Sequence, residues 1–234
     1  MSALICGSVA FDSIMVFKDR FKNHILPEKV HMISVSFLVP EMRKEFGGCA
    51  GNIAYNLKLL GGDPLPMATV GSDFGQYGSW MDGQSINRKH VSIVESEYTA
   101  QAFITNDLDG NQIAAFHPGA MNLSHLNDVA DAEGVDIGIV SPDGRQGMID
   151  HANQFHDNDI PYIFDPGQGL PLFSGDDLKH FIEVATWVTV NDYEWSLIQN
   201  KTGLTEADAA AMVKALIISR GSQGSTIYAG GKEL

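Results

Sequence analysis

Two cysteines, Cys6 and Cys49, are all that 234 residues contain, and they form no Cys-x-x-Cys pair. That excludes a disulfide scaffold and makes a reducing cytoplasm the expected setting. Basic residues are scarce as well: 15 Lys and Arg stand against 29 Asp and Glu, a formal charge of −14. So acidic a chain repels phosphate backbones, and nucleic acid is not expected as a partner. A bound polyphosphate would have to rely on backbone N–H groups, a metal and few basic side chains. No apolar run approaches the roughly 20 residues of a membrane span, and Met1–Ala10 lacks a signal peptide's basic start, so no membrane partner is expected. Also missing are Gly-x-x-x-x-Gly-Lys-Ser/Thr, Gly-x-Ser-x-Gly and His-Glu-x-x-His, which removes the main support for a P-loop ATPase, a serine hydrolase or a zinc peptidase. His151 and His156 are out of helical register for holding one metal together.

What is present is a globular composition, 44% hydrophobic and 19% charged, long enough for one α/β domain with a small appendage. Leu4–Ala10 reads as a buried strand running into Phe11–Val16, which places Asp12 just past the end of a first buried strand, where open α/β sheets bind their ligands. A capped or solvated turn would use such an aspartate equally well. Val30–Val39 is rich in β-formers, and Tyr98–Thr105 and Gln112–His117 flank the turn Asp107-Leu108-Asp109-Gly110-Asn111 as a hairpin. Leu65–Gly71 reads as a strand and Gly75–Arg88 as a helix. From Val135 the alternation is regular. Strands are expected at Val135–Val140, Pro161–Asp165, Trp187–Asn191 and Leu216–Ser219, and helices at Gly144–Asn158, Ser174–Ala185, from Tyr193, and Glu206–Ala215. Ser225–Ala229 is the hairpin partner of the last strand. Strands alternating with helices imply a mainly parallel sheet covered on both faces.

The most informative stretch is Phe46-Gly47-Gly48-Cys49-Ala50-Gly51-Asn52-Ile53-Ala54, which runs into a helix pattern stopped by Gly61-Gly62. Gly47 and Gly48 can bring the backbone close to a ligand, and Asn52 lies near the helix start, where free N–H groups favour a polar ligand. A glycine turn before an ordinary packing helix is the plainer reading. Gly47-Gly48, Ala50, Asn52, Ala54, Gly61 and Gly71 together fall at the spacings of the first signature of the ribokinase-like, or PfkB-type, sugar and nucleoside kinases. The sequence resembles that family along its whole length.

The resemblance implies a ribokinase-like three-layer α/β/α fold, a single domain over 1–234, with a small β-sheet lid inserted at about 14–45 and 97–118. It also implies ATP and Mg²⁺ as cofactors and a homodimer formed through the lid strands. On the substrate side it points to Asp12 and Asn52 holding sugar hydroxyls and to Gly47-Gly48 as the lid hinge; Phe103 and Phe116 offer a flat surface for a purine, or simply lid core. Asn191-Asp192-Tyr193-Glu194 is similar to the family's Asn-x-x-Glu element, with Asn191 on the nucleotide side and Glu194 near the metal. The same spacing is that of a helix capping box. Ser219-Arg220-Gly221-Ser222-Gln223-Gly224 resembles the turn under the nucleotide, with Ser219, Gly221 and Gly224 at the matching positions and Ser in place of Thr. Asp165, in Phe164-Asp165-Pro166-Gly167, falls where family members often carry an Asp-Pro pair near metal and phosphates, although a tight turn explains Pro-Gly equally well.

The family's second signature, a glycine-rich segment ending in Gly-x-Gly-Asp whose aspartate deprotonates the acceptor hydroxyl, is not found in these 234 residues. The expectation is a chain covering about three quarters of a family member, catalytically crippled, with an apolar sheet face left open. The implied reaction is phosphoryl transfer to the hydroxymethyl group of a ribose-containing substrate, adenosine first. A sugar kinase for ribose or fructose and a non-catalytic nucleoside-binding protein are the alternatives.

Overall fold

The computed structural model describes residues 1–234, Met1 to Leu234. Along the chain, β1 (Ser2–Cys6) is followed by β2 (Ala10–Val16), β3 (Glu41–Gly47), α1 (Cys49–Leu59), β4 (Asp63–Gly71), α2 (Gly75–Gly83) and β5 (Val91–Val94). Next come β6 (Ala100–Asn106), β7 (Gln112–His117), β8 (Ile137–Val140), α3 (Arg145–Asp157), β9 (Tyr162–Phe164) and α4 (Gly175–Val184). Last are β10 (Trp187–Asn191), α5 (Asp192–Thr202), α6 (Glu206–Met212), β11 (Ala215–Ser219), β12 (Ser225–Ala229) and β13 (Lys232–Glu233).

Nine strands form the main sheet in the order β13-β12-β11-β10-β9-β8-β1-β4-β5, and four form a lid in the order β3-β2-β6-β7. The main sheet is parallel from β5 to β11, and β12 and β13 return antiparallel. Alternation along the central strands sorts the two faces. Phe164, Val188, Val190, Leu216 and Ile218 are buried beneath Met148 and Phe155 of α3, Leu178 and Phe181 of α4, and Trp195 and Ile198 of α5. Burying one such side chain stabilises by about 1.5–3 kcal/mol, so this layer holds the α/β body together. On the opposite face α1 and α2 cover Ile5, Ala68 and Val70 through Ala50, Ala54, Tyr77 and Met81. Further along that face Ile163, Trp187 and Ile217 stay half-buried, as expected of an open apolar layer. No helix is long and apolar enough to cross a membrane.

Several sequence expectations change. Val30–Val39 is not a strand: Pro27–Met32 is a 3-10 turn, and irregular backbone follows to Pro40. Its β-formers have no partner strand, and Val30, Met32, Ile33 and Leu38 are exposed, whereas Phe37 is anchored in tilted and edge contacts with Phe17, Phe21 and His24. The strand lies instead at the charged Glu41–Gly47, because it pairs residue for residue with β2. The apparent run Leu4–Val16 breaks at Gly7–Val9, so Asp12 sits within a lid strand rather than in a loop past β1. The helix starting at Gly75 stops at Gly83, and that starting at Glu206 stops at Met212, because Ala215 is already paired into the sheet opposite Trp187.

Candidate active site

Two groups of residues meet at the carboxyl edge of the main sheet. The first group is built by β2, β3 and the start of α1. Asp12 pairs in register with Glu45, and its carboxylate packs against the Cα of Gly47, where a side chain would overlap it. Burial and the neighbouring Glu45 charge hold the Asp12 carboxyl above its ordinary range. The carbonyl of Gly47 accepts a hydrogen bond from Tyr77 Oη at 2.8 Å. Gly48 has φ of +86° and precedes α1 directly, and a Cβ there would meet the Ser8 carbonyl at 2.5 Å. The N–H groups at the start of α1 are not all free for a ligand: the Cys49 N–H donates to Ser8 Oγ (3.1 Å) and the Ala50 N–H to the Ser8 carbonyl (2.9 Å). Asn52 is exposed and lines a groove of about 430 Å³ with Ile5, Ile53, Asn56, Ile139 and Ile163, along the open sheet face; Asp12 is not part of that groove.

Register separates the two lid phenylalanines. Ala102 lies opposite Phe116, and Phe103 opposite Ala115, so Phe103 and Phe116 project from opposite faces of the lid. Asp12 pairs with Ala102, which puts Asp12, Glu45, Ala102 and Phe116 on one face. Ser13 and Lys44 share the other face with Phe103, and Lys44 Nζ lies 3.9 Å over the Phe11 ring. The two rings therefore do not form one flat surface, and only Phe116 faces the Asp12 side.

The second group follows β9, β10 and β11. Asn191 and Ser219 are direct partners across parallel β10 and β11, so both motifs end at the same level of the sheet. Asn191 Oδ1 accepts from the Glu194 N–H and Glu194 Oε2 accepts from the Asn191 N–H, both at 2.8 Å. The capping box is thus real, and it fixes both side chains at the start of α5 while leaving Asn191 Nδ2 and Glu194 Oε1 outside it. In the turn beyond Ser219, Gly221 and Gly224 have φ of +56° and +92°, and the Arg220 N–H donates to the Gly224 carbonyl at 2.7 Å. Asp165 directly follows β9, and burial with the nearby Glu194 charge pushes its carboxyl up to about 6. Two mutually repelling carboxylates at a sheet edge suit a cation such as Mg²⁺, which takes one or two carboxylates and keeps its waters. No cluster of three metal-ligating side chains exists, so a closed all-protein metal cage is not what this edge provides.

Cys49 joins the two groups. Burial raises its thiol to about 11, and the charges of Asp165, Asp143 and Asp12 all act on it in the same direction. Ser8 and Tyr77, which tie the glycine turn down, were not singled out from sequence; their one signal is that Ser8 directly follows the first strand and its glycine. A larger cavity, about 550 Å³, lies elsewhere, lined by Asp159, Thr186 and Lys214 at the opposite ends of β9–β11.

The structure is thus an open, mainly parallel sheet with a four-stranded β lid at its carboxyl edge, Asp12 on the lid and a glycine-flanked turn after β11. The model of the pfkB family carbohydrate kinases matches residues 9–234. The nucleoside kinase of Methanocaldococcus jannaschii is 32% identical over 211 residues, covering 88% of this chain and 68% of that protein. The solved structure of Burkholderia thailandensis nucleoside kinase in complex with inosine is 51% identical with a TM-score of 0.88, over 99% of this chain and 74% of that one. The same enzyme in complex with ADP-inosine superposes with a TM-score of 0.84 at 53% identity, over 99% and 73%. The chain belongs to the pfkB carbohydrate kinase family and is a phosphotransferase of the ribokinase fold.

Proposed function

We propose that this chain carries the acceptor and nucleotide sites of an ATP-dependent nucleoside kinase, acting on the ribose hydroxymethyl group of a purine nucleoside, adenosine first. The observation that supports this most is the meeting at Cys49 of the Asp12 side and the Asp165–Asn191–Ser219 side. That the similar proteins are nucleoside kinases, one of them seen with inosine, favours a nucleoside over a free sugar. Asp12 would accept from ribose hydroxyls and Phe116 would stack on the base. Asn52 would contact the sugar once the lid is closed. Gly47 and Gly48 let the lid approach, and Asn191, Ser219, Gly221 and Gly224 lie under the nucleotide. Asp165 and Glu194 are the residues to hold Mg²⁺, which when bound neutralises phosphate charge.

In the transfer the acceptor oxygen bonds to the γ-phosphorus as the bond to the ADP oxygen breaks, and the hydroxyl proton passes to a base. Residues 1–234 contain no Gly-x-Gly-Asp to supply that base, so we expect binding without turnover. A homodimer through the lid belongs to the same reading: β3 and β7 are lid edges, β7 is exposed along its whole length, and pairing would satisfy their free backbone groups.

Calorimetric titration of adenosine, inosine, ribose and fructose into the 234-residue chain tests the reading. Saturable nucleoside binding that Asp12→Ala abolishes supports it. Binding of free sugar alone moves the assignment to a sugar kinase, and measurable turnover overturns the expected inactivity.

A further inference from the structure

The body holds five buried side-chain atoms with no hydrogen-bond partner: Ser124 Oγ, Asn127 Nδ2, Asp143 Oδ2, His151 Nδ1 and Tyr162 Oη. Buried polar atoms in folded proteins are nearly always paired, so a cluster of exceptions marks a place where something is bound. The first four lie along one seam. Ser124 and Asn127 belong to the segment that returns from the lid after β7, and Asp143 and His151 lie before and within α3. The two sides approach closely because α3 presents glycines. A Cβ at Gly144 would lie 2.8 Å from Ser124 Oγ, and one at Gly147 would overlap that atom.

The contacts already made fix what each group still needs. His151 Nε2 lies 3.2 Å from the Asn127 carbonyl, which can only accept, so the proton is on Nε2 and Nδ1 is an acceptor. Burial lowers the imidazole pKa, keeping the ring neutral. Asn127 Oδ1 accepts from Ser92 Oγ at 2.6 Å, which orients the amide and leaves Nδ2 as a donor. Asp143 Oδ1 accepts from the Gly144 N–H at 2.9 Å. Burial pushes the Asp143 carboxyl up to about 8, and Ser124 is near enough to pull it back without reaching bonding geometry. At neutral pH, Asp143 Oδ2 therefore carries a proton to donate. Ser124 Oγ can do both. Two donors, one acceptor and one hydroxyl are thus left without partners along this seam.

We propose that this seam is a closed hydration site, in which internal water joins Asn127 Nδ2 to His151 Nδ1 and completes Ser124 and Asp143, and that this water pins the root of the lid to α3. A water molecule supplies two donors and two acceptors, and buried waters typically make about three bonds to such otherwise unsatisfied groups. The pinned segment continues directly from the lid. Pro118 follows β7, the Ala120 N–H donates to the Tyr98 carbonyl (2.9 Å), and Thr69 Oγ1 donates to the Ala120 carbonyl (2.6 Å). The segment therefore has a direct anchor on β4 and, on α3, the direct His151 Nε2 bond to the Asn127 carbonyl with the hydrated anchor beside it.

Oxygen-17 relaxation dispersion on the full chain counts long-lived internal waters, and hydrogen exchange reads the segment itself. The wild type should show at least one long-lived water, retained in Asp143→Asn, whose amide offers the same pattern, and lost in His151→Leu. In His151→Leu, which removes the Nε2 bond to the Asn127 carbonyl together with the water, amides 119–127 should exchange about tenfold faster while β10 and β11 stay unchanged. Equal dispersion in folded wild type and His151→Leu overturns the proposal, as does unchanged exchange in the segment. If His151→Leu does not fold, a crystal structure of the wild type at about 1.5 Å decides. Ordered water bonded to Asn127 Nδ2 and His151 Nδ1 upholds the proposal, and direct bonds among the four side chains with no water between them refute it.

Discussion

Gly48→Ala tests the hinge at the start of α1 against its own control. Gly48 has φ of +86° and ψ of +147°, a region almost exclusive to glycine, and holding alanine there costs about 1–3 kcal/mol. The new Cβ would also meet the Ser8 carbonyl oxygen at 2.5 Å and both Ala10 N and Val9 Cα at 2.7 Å. All three are backbone atoms that cannot rotate away, so overpacking adds roughly 1–3 kcal/mol. The smaller entropy of the unfolded alanine chain returns about 0.5–1 kcal/mol. The net expectation is a loss of about 1–5 kcal/mol, centred near 3 kcal/mol. Gly61 has nearly the same φ, +81°, but nothing lies within 4 Å of its Cβ position. Gly61→Ala should therefore cost only about 1 kcal/mol, the left-handed penalty alone. Urea unfolding of both variants, with matched m-values, measures the difference. If the two costs agree within about 0.5 kcal/mol, the crowding of Ser8, Val9 and Ala10 around Gly48 is not what the backbone experiences.

Asp143→Asn should change the pH dependence of stability: with its pKa raised from 3.8 to about 8 on folding, the carboxyl holds a proton that the unfolded chain has released. That contribution is complete below about pH 4 and is lost as pH rises toward 8, by on the order of 6 kcal/mol in the limit. The groups that share its surroundings are Ser124, Cys6 and Cys49. The Asp143→Asn variant should flatten the decline in urea midpoints between pH 5 and 8, and an unchanged slope would refute the buried-acid assignment. Asn191→Ala and Ser174→Ala each remove a capping box and should each cost about 1 kcal/mol, but only Asn191→Ala should weaken ADP binding in calorimetry; equal ADP affinities would make Asn191 a cap alone. Asp12→Asn should leave stability unchanged or raised, since the carboxyl is held unfavourably against Glu45, while nucleoside affinity falls about 10–100-fold; retained affinity would remove Asp12 from the site.

The α/β body was legible because its determinants are local. Ser174 caps α4 with Asp177 three residues on, and the strands of β8–β11 alternate buried and half-buried residues between short turns. The lid was harder, because a lid strand is defined by its partners. Glu41, Arg43, Lys44 and Glu45 crowd the start of β3 with charge, and the segment becomes a strand only through its register with β2, which no local pattern announces. The same limit applied to Phe103 and Phe116, whose opposite faces follow from Ala102 lying across from Phe116. Asn191 and Glu194 posed a different problem: cap and ligand require the same residue types at the same spacing, and the folded chain uses them as a cap while leaving one polar atom of each outside the box.

The lid is attached to the body by four short joints: Gly7–Val9 before β2, Gly48 after β3, residues 95–99 before β6, and Pro118 after β7. All four lie along one margin of the lid, so the sheet can turn about that margin but cannot slide over the body. Displacement then grows with distance from the axis. At about 3.3 Å of rise per residue, a rotation of roughly 10° carries the far ends of β2 and β6 about 3.5 Å but moves Asp12, two residues in, by only about 1 Å. Asp12 therefore keeps nearly the same place relative to the body under any such rotation, and the hairpin tip at residues 107–111 makes the widest sweep.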